Sequence, residues 1–216
     1  MNCQLSIIHY QLLRFFSCLT AILLTVAAWG QYRSEVWCPD QGDGTYVNPV
    51  INADYSDPDV ICVGDDYYLT ASSFNCMPGL PILHSRDLVN WQIIGHALTR
   101  QFTADNSPSY PKPEHGNGVW APCLRYHDGW FYIYWGDPDR GVFMVRTQQP
   151  DGKWEEPLLV VEGKGIIDTT PLWDDDGRCY LANGWAGSRC GFNSVLSVRE
   201  LSADGTKAIS APVIVF

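Results

Sequence analysis

Between residues 53 and 61 the chain reads Ala-Asp-Tyr-Ser-Asp-Pro-Asp-Val-Ile, with Asp54, Asp57 and Asp59 placed just ahead of an apolar β-forming run. A carboxylate held close to a second one has a shifted pKa, and that is the requirement of general acid–base chemistry. Asp168 is the natural second group. It follows Ile166-Ile167 and precedes Thr169-Thr170-Pro171-Leu172, a setting in which an unpaired charge is expensive. Taken alone, Asp57 reads equally well as a turn residue, because Asp-Pro commonly opens turns. The chemical reading needs elements that bring residues 57 and 168 together.

Those elements are suggested by a repeat. Val-Gly-Asp-Asp-Tyr-Tyr-Leu at 63–69, His-Asp-Gly-Trp-Phe-Tyr-Ile at 127–133 and Asp-Asp-Asp-Gly-Arg-Cys-Tyr-Leu at 174–181 each join a strand end, an Asp-Asp or Asp-Gly turn and an aromatic strand start. That is the signature of a β-hairpin. After the first two comes a further strand with a closing tryptophan, Trp91 and Trp154, and the third runs on through Leu201 to the turn Asp204-Gly205. Four strands recurring about every 50 to 60 residues predict an all-β fold of propeller blades, about three of them in this chain. Eight residues before Asp65, Asp128 and Asp176 stand Asp57, Trp120 and Asp168. The three are expected to hold one place in successive blades, at the start of the innermost strand, where acids can converge on one ligand.

Composition agrees with short strands and turns: 13% aromatic residues, including nine Trp and eleven Tyr, are punctuated by 19 Gly and 14 Pro. A formal charge of −10 works against nucleic acid or an anionic membrane as partner and favours a neutral ligand. Arg14, the apolar run from Phe15 to Ala28 and the small residues around Ala28-Trp29-Gly30 predict a signal peptide over residues 1–30 and export to the periplasm or medium. The run is shorter than the ~20 residues that span a bilayer, so no stable membrane insertion is expected once it is removed. A polar extension over residues 31–47 and a domain over 48–216 complete the predicted organisation. Six cysteines remain after the signal, with no Cys-x-x-Cys spacing for zinc. Export leaves a disulfide open, and buried thiols packing as small hydrophobes are the alternative.

With these motifs in view, Asn48-Pro49-Val50, Tyr55-Ser56-Asp57-Pro58-Asp59, Gly64-Asp65-Asp66-Tyr67-Tyr68, Pro81 through Trp91, Gly118-Val119-Trp120-Ala121-Pro122 and Ile167-Asp168 resemble, in order, glycoside hydrolase family 43. This is the five-bladed propeller family of β-xylosidases, α-L-arabinofuranosidases and arabinanases. The resemblance implies an exo-acting glycosidase on plant polysaccharide that inverts the anomeric centre. It implies Asp57 as the general base, Asp168 as the third carboxylate, which tunes the acid, and Phe74 and Trp120 as apolar walls of the terminal-sugar subsite.

The chain departs from the family in one respect. The family's general acid is a Glu in a Glu-Gly-Pro context opening the next blade, and residue 216 comes before any such motif. The expectation is an N-terminal part of a longer enzyme, with Glu114 and Glu162 as the remaining acidic candidates within it. Family members often carry calcium near a histidine of a later blade, so calcium is expected at most in a full-length protein and no cofactor within these residues. Asp174-Asp175-Asp176-Gly177 lacks the ligand alternation of an EF-hand and is read as a hairpin turn. His115 stands in the loop leading to Trp120. Two rival readings are a non-catalytic carbohydrate-binding propeller, or an inactive fragment of one, and a retaining fructosidase. The fructosidase would show Arg-Asp-Pro where this chain has Ile167-Asp168-Thr169.

Overall fold

The computed structural model describes residues 34, 36–100 and 116–216. The predicted signal peptide, Glu114 and His115 lie outside the described residues. Two compact units divide the chain, Met1–Cys38 and Pro39–Phe216. All the strands among the described residues belong to the second.

Among the described residues twelve strands form three four-stranded sheets. The first holds β1 (Asp59–Val63), β2 (Asp66–Thr70), β3 (Gly79–Ser85) and β4 (Gln92–Leu98). The second holds β5 (Cys123–His127), β6 (Trp130–Asp137), β7 (Gly141–Thr147) and β8 (Leu158–Glu162). The third holds β9 (Ile166–Trp173), β10 (Cys179–Trp185), β11 (Ser197–Leu201) and β12 (Val213–Ile214). Within each sheet sequence neighbours pair antiparallel. Each is therefore an up-and-down blade, and β1, β5 and β9 are its first strands. A single helical turn, α1 (Gly187–Cys190), lies between β10 and β11.

Sequence patterning explains how the blades stack. Strand β6 reads Trp-Phe-Tyr-Ile-Tyr-Trp, almost unbroken apolar residues, as expected of a strand covered on both faces. Phe131, Ile133 and Trp135 enter one core with Leu80, Ile82, Leu124 and Val145, which joins the first and second blades. Tyr132 and Tyr134 enter another with Val142, Ile166, Leu181 and Leu201, joining the second and third. Each fully buried aliphatic side chain in such a core contributes about 1.5–3 kcal/mol. In contrast, β10 and β11 alternate buried and half-buried positions because only one face is covered. On the other face Leu172 is exposed, and at the outer edge of that blade so is Ile214.

The predicted hairpins are present. Val63 pairs with Asp66, His127 with Trp130 and Trp173 with Cys179 across their turns. Asp128 and Gly129 both adopt positive φ, 47° and 80°, the requirement of a type I′ turn. Asp174 to Gly177 is the third connection, closed by Gly177 N–H donating to Asp174 O at 3.0 Å. Trp91 immediately precedes β4 and Trp154 lies four residues before β8, and their indole N–H groups donate to Leu88 O and Pro150 O at 3.0 and 3.3 Å.

One expectation is corrected by a residue. The turn positions that match are Gly64 with Asp128 and Asp65 with Gly129. The place held by Asp57 in the first blade therefore belongs to Ala121 in the second, not to Trp120. Counting from Asp128 as if it matched Asp65 displaced the register by one.

Candidate active site

Asp57 and Ala121, two residues ahead of β1 and β5, and Asp168, the third residue of β9, share a backbone feature: all three have left-handed φ, of 48°, 32° and 51°. For an L-residue this conformation costs roughly 1–2 kcal/mol, somewhat less for Asp, whose short polar side chain tolerates it. Its repetition places the carboxylates of the first and third blades at the same end of the inner strands. They are close enough to interact. The Asp168 carboxyl is raised above the usual carboxylate range, first by burial and then by the negative charge of Asp57. Both residues are nonetheless solvent-accessible as a whole. The shielding is local to the Asp168 carboxyl, whose Oδ2 passes so near Gly184 that a Cβ there would stand 3.7 Å from it.

Asp57 is oriented by a short relay. The Ser72 hydroxyl donates to Asp57 Oδ2 at 2.6 Å and accepts from Ala121 N–H at 2.8 Å, while Ser72 N–H donates to Ser56 O at 2.9 Å. One loop serine thus ties the carboxylate to the lead-in of the next blade. Beside it Ser73 and Val119 form an isolated antiparallel bridge, and Gly118 N–H donates to Phe74 O at 2.8 Å. This pairing sets the Phe74 and Trp120 rings edge to face, with centroids 5.9 Å apart and planes at 70°. Trp120 is fixed further by its indole N–H on Gly116 O at 2.8 Å. Glycine is required at 118, since a Cβ there would collide with the backbone oxygens of Ser73 and Phe74. Half-buried and adjacent, the two rings offer an apolar wall beside the Asp57 strand.

Two residues further along, the first strands are joined by a polar cross-link. Asp59 Oδ2 accepts from Leu124 N–H at 2.7 Å and from Arg125 Nη1 at 2.8 Å, and Arg125 Nη2 donates to Thr170 Oγ1 at 2.9 Å. The Thr170 hydroxyl also lies 3.2 Å from Cys123 Sγ. Burial pushes the Cys123 thiol up to about 12, so it packs as an inert group and not as a nucleophile. Cys179, likewise buried and likewise pushed up to about 12, belongs to the second core.

All four sequence-predicted residues, Asp57, Asp168, Phe74 and Trp120, lie at or beside the start of a first strand or the loop facing it. Glu162 does not join them. It ends β8, the fourth strand of its blade, three strand spacings or roughly 14 Å from β5. Among the described residues no group of three or more His, Cys, Asp or Glu could hold a metal ion, so these residues do not fit a calcium site. Sequence reasoning passed over Ser72 and Arg125. An arginine in the aromatic β5–β6 hairpin was the available signal, because a charge in an inner strand demands partners.

The three stacked four-stranded sheets define a propeller-type all-β fold. Residues 46–216 match the glycosyl hydrolases family 43 pattern, and the chain belongs to that family. It is 34% identical over 184 residues to a β-xylosidase of Formosa agariphila, covering 82% of this chain and 31% of that protein. Over 141 residues it is 42% identical to the non-reducing end α-L-arabinofuranosidase BoGH43B of Bacteroides ovatus, covering 63% and 26%. Among solved structures it resembles Bacteroides ovatus xyloglucan PUL GH43B (TM-score 0.64, 33% identity, 78% of this chain and 32% of that one). It also resembles xylan β-1,4-xylosidase from Bacillus halodurans C-125 (TM-score 0.63, 32% identity, 76% and 32%). The chain spans about a third of the length of these relatives.

Proposed function

We propose that this chain carries the base-side half of the active site of an exported glycosidase that removes xylosyl or arabinofuranosyl units from plant polysaccharide with inversion. The observation that carries the reading is the repeated left-handed backbone at Asp57 and Asp168, which sets both carboxylates at the same end of the first and third inner strands, where the Asp57 charge adds to burial in raising the Asp168 carboxyl. Asp57 is the general base. Held by Ser72 through Oδ2, it keeps its other oxygen for a water, takes one proton from it, and leaves the water oxygen to attack the anomeric carbon as the bond to the leaving oxygen breaks. Asp168, the third carboxylate, raises the pKa of a neighbouring acid through its charge and holds sugar hydroxyls. Phe74 and Trp120 face the weakly apolar C–H surface of the terminal sugar. An inverting pair stands roughly 6.5–9.5 Å apart to admit the water. The proton donor is assigned to a segment that the longer relatives possess and these 216 residues do not span. Export is part of the same proposal and rests on the apolar run of residues 15–28.

The test is made on protein expressed with whatever coding sequence continues the reading frame. Asp57→Ala should lower turnover of aryl xylosides or arabinofuranosides by about 10²–10⁴-fold, the range for loss of a general base. The first-formed sugar should carry the inverted anomeric configuration by NMR. Near-parental turnover in the variant, or a retained anomer, rejects the assignment. Binding of xylo- or arabino-oligosaccharide without any release would instead favour a carbohydrate-binding propeller. N-terminal sequencing of the exported protein tests cleavage near residue 30.

A further inference from the structure

Arg125 bridges all three first strands: it stands on β5, pairs with Asp59 on β1 and donates to Thr170 on β9. Its two contacts are placed symmetrically about the carboxylates. Asp59 is two residues beyond Asp57, and Thr170 two residues beyond Asp168. The cross-link therefore lies two residues along the chain from each acid, just past its left-handed residue. Guanidinium is suited to this task because its donors are held in a rigid planar fork, so the two acceptors are fixed relative to each other and not only to the arginine. The fork is itself anchored, since Nη1 also donates to Leu124 O at 2.6 Å. Asp59 is braced by Leu124 N–H from the same blade.

We propose that Arg125 is a positioning residue that sets the separation of the Asp57 and Asp168 carboxylates by clamping β1 and β9 to β5. It does not touch the sugar. The inference deepens the glycosidase reading of the same site and rests on it for its kinetic consequence, though not for its geometric one.

The titration of Asp168 separates positioning from simple electrostatics by its sign. Removing a nearby cation would by itself raise a carboxyl pKa. Releasing the clamp does the reverse, because it lets Asp57 recede and water enter, and these two influences are what hold the Asp168 carboxyl high. In this 216-residue chain, ¹³C NMR titration of Arg125→Met should move the Asp168 midpoint down by about half a pH unit or more, a roughly threefold change in protonation. Arg125→Lys, a point charge that cannot span both acceptors, should fall between the two. Thr170→Val removes the hydroxyl's contacts with Arg125 and Cys123 and preserves the Asp59 pair, so it serves if Arg125→Met fails to fold, and it should shift the midpoint in the same direction.

A folded variant whose Asp168 midpoint stays within that margin or rises overturns the proposal. In the longer expressed protein, Arg125→Met should cut kcat about 10- to 100-fold, the range for a misplaced reacting group, with KM little changed. A raised KM with unchanged kcat would also overturn it. Should the parental protein lack glycosidase activity altogether, the functional reading falls, and the titration alone then judges the clamp.

Discussion

Asp57 and Asp168 enter their strands with matching left-handed backbones, φ 48° and 51°, and each stands two residues ahead of an acceptor for the same arginine. Backbone and cross-link together make the two acids equivalent members of the first and third repeats, at one end of the inner strands. Equivalence of this kind allows each to be tested through the other.

Removing the charge on Asp57 should be felt at Asp168. In Asp57→Asn the Asp168 carboxyl loses its repulsive neighbour, so its titration midpoint should fall toward the usual carboxylate range. It should not reach that range, because burial is the larger cause of the shift and survives the substitution. NMR titration of the side-chain carboxyls reads this directly. An unmoved midpoint would mean that the two groups do not interact.

Stability should respond to the same group. Because the folded Asp168 carboxyl holds its proton to higher pH than the ordinary value of 3.8, the folded state carries a disfavoured ion above its own midpoint. Its contribution therefore improves as pH falls through the folded midpoint toward 3.8, and levels off below. Asp168→Asn abolishes the ion. Its Tm should exceed that of the parent at pH 7, and the difference should close as the pH drops below the ordinary carboxylate range. A variant with a lower Tm at pH 7 would contradict the sign. The same variant is expected to be catalytically impaired, a trade of stability for function.

Gly118→Ala tests how the aromatic wall is built. A methyl group there meets the backbone oxygens of Ser73 and Phe74, the latter at 2.6 Å, and backbone cannot swing aside as a side-chain tip would. The Ser73–Val119 bridge must open, at a cost of about 1–3 kcal/mol or more. Denaturant unfolding should show that loss, and Trp120 fluorescence should change as the ring leaves Phe74. Full retention of both would place the bridge outside the determinants of the wall.

The sequence by itself carried the blade repeat and the hairpin turns, for a physical reason. Turns that need positive φ select Asp, Asn and Gly, strands covered on both faces select unbroken aromatic runs, and both signals are local. The all-β class and the family followed from the order of those signals. Local signals could not place Ala121 rather than Trp120 opposite Asp57, because a count along the chain cannot tell which residue of a two-residue turn matches which. Nor could they exclude Glu162, whose distance from the inner strands is set by blade depth. The Ser72 relay and the Arg125 clamp were decided only in three dimensions. Each joins residues from different blades, and a hydrogen bond between distant segments leaves no periodic trace: it exists only once packing has brought its ends within about 3 Å.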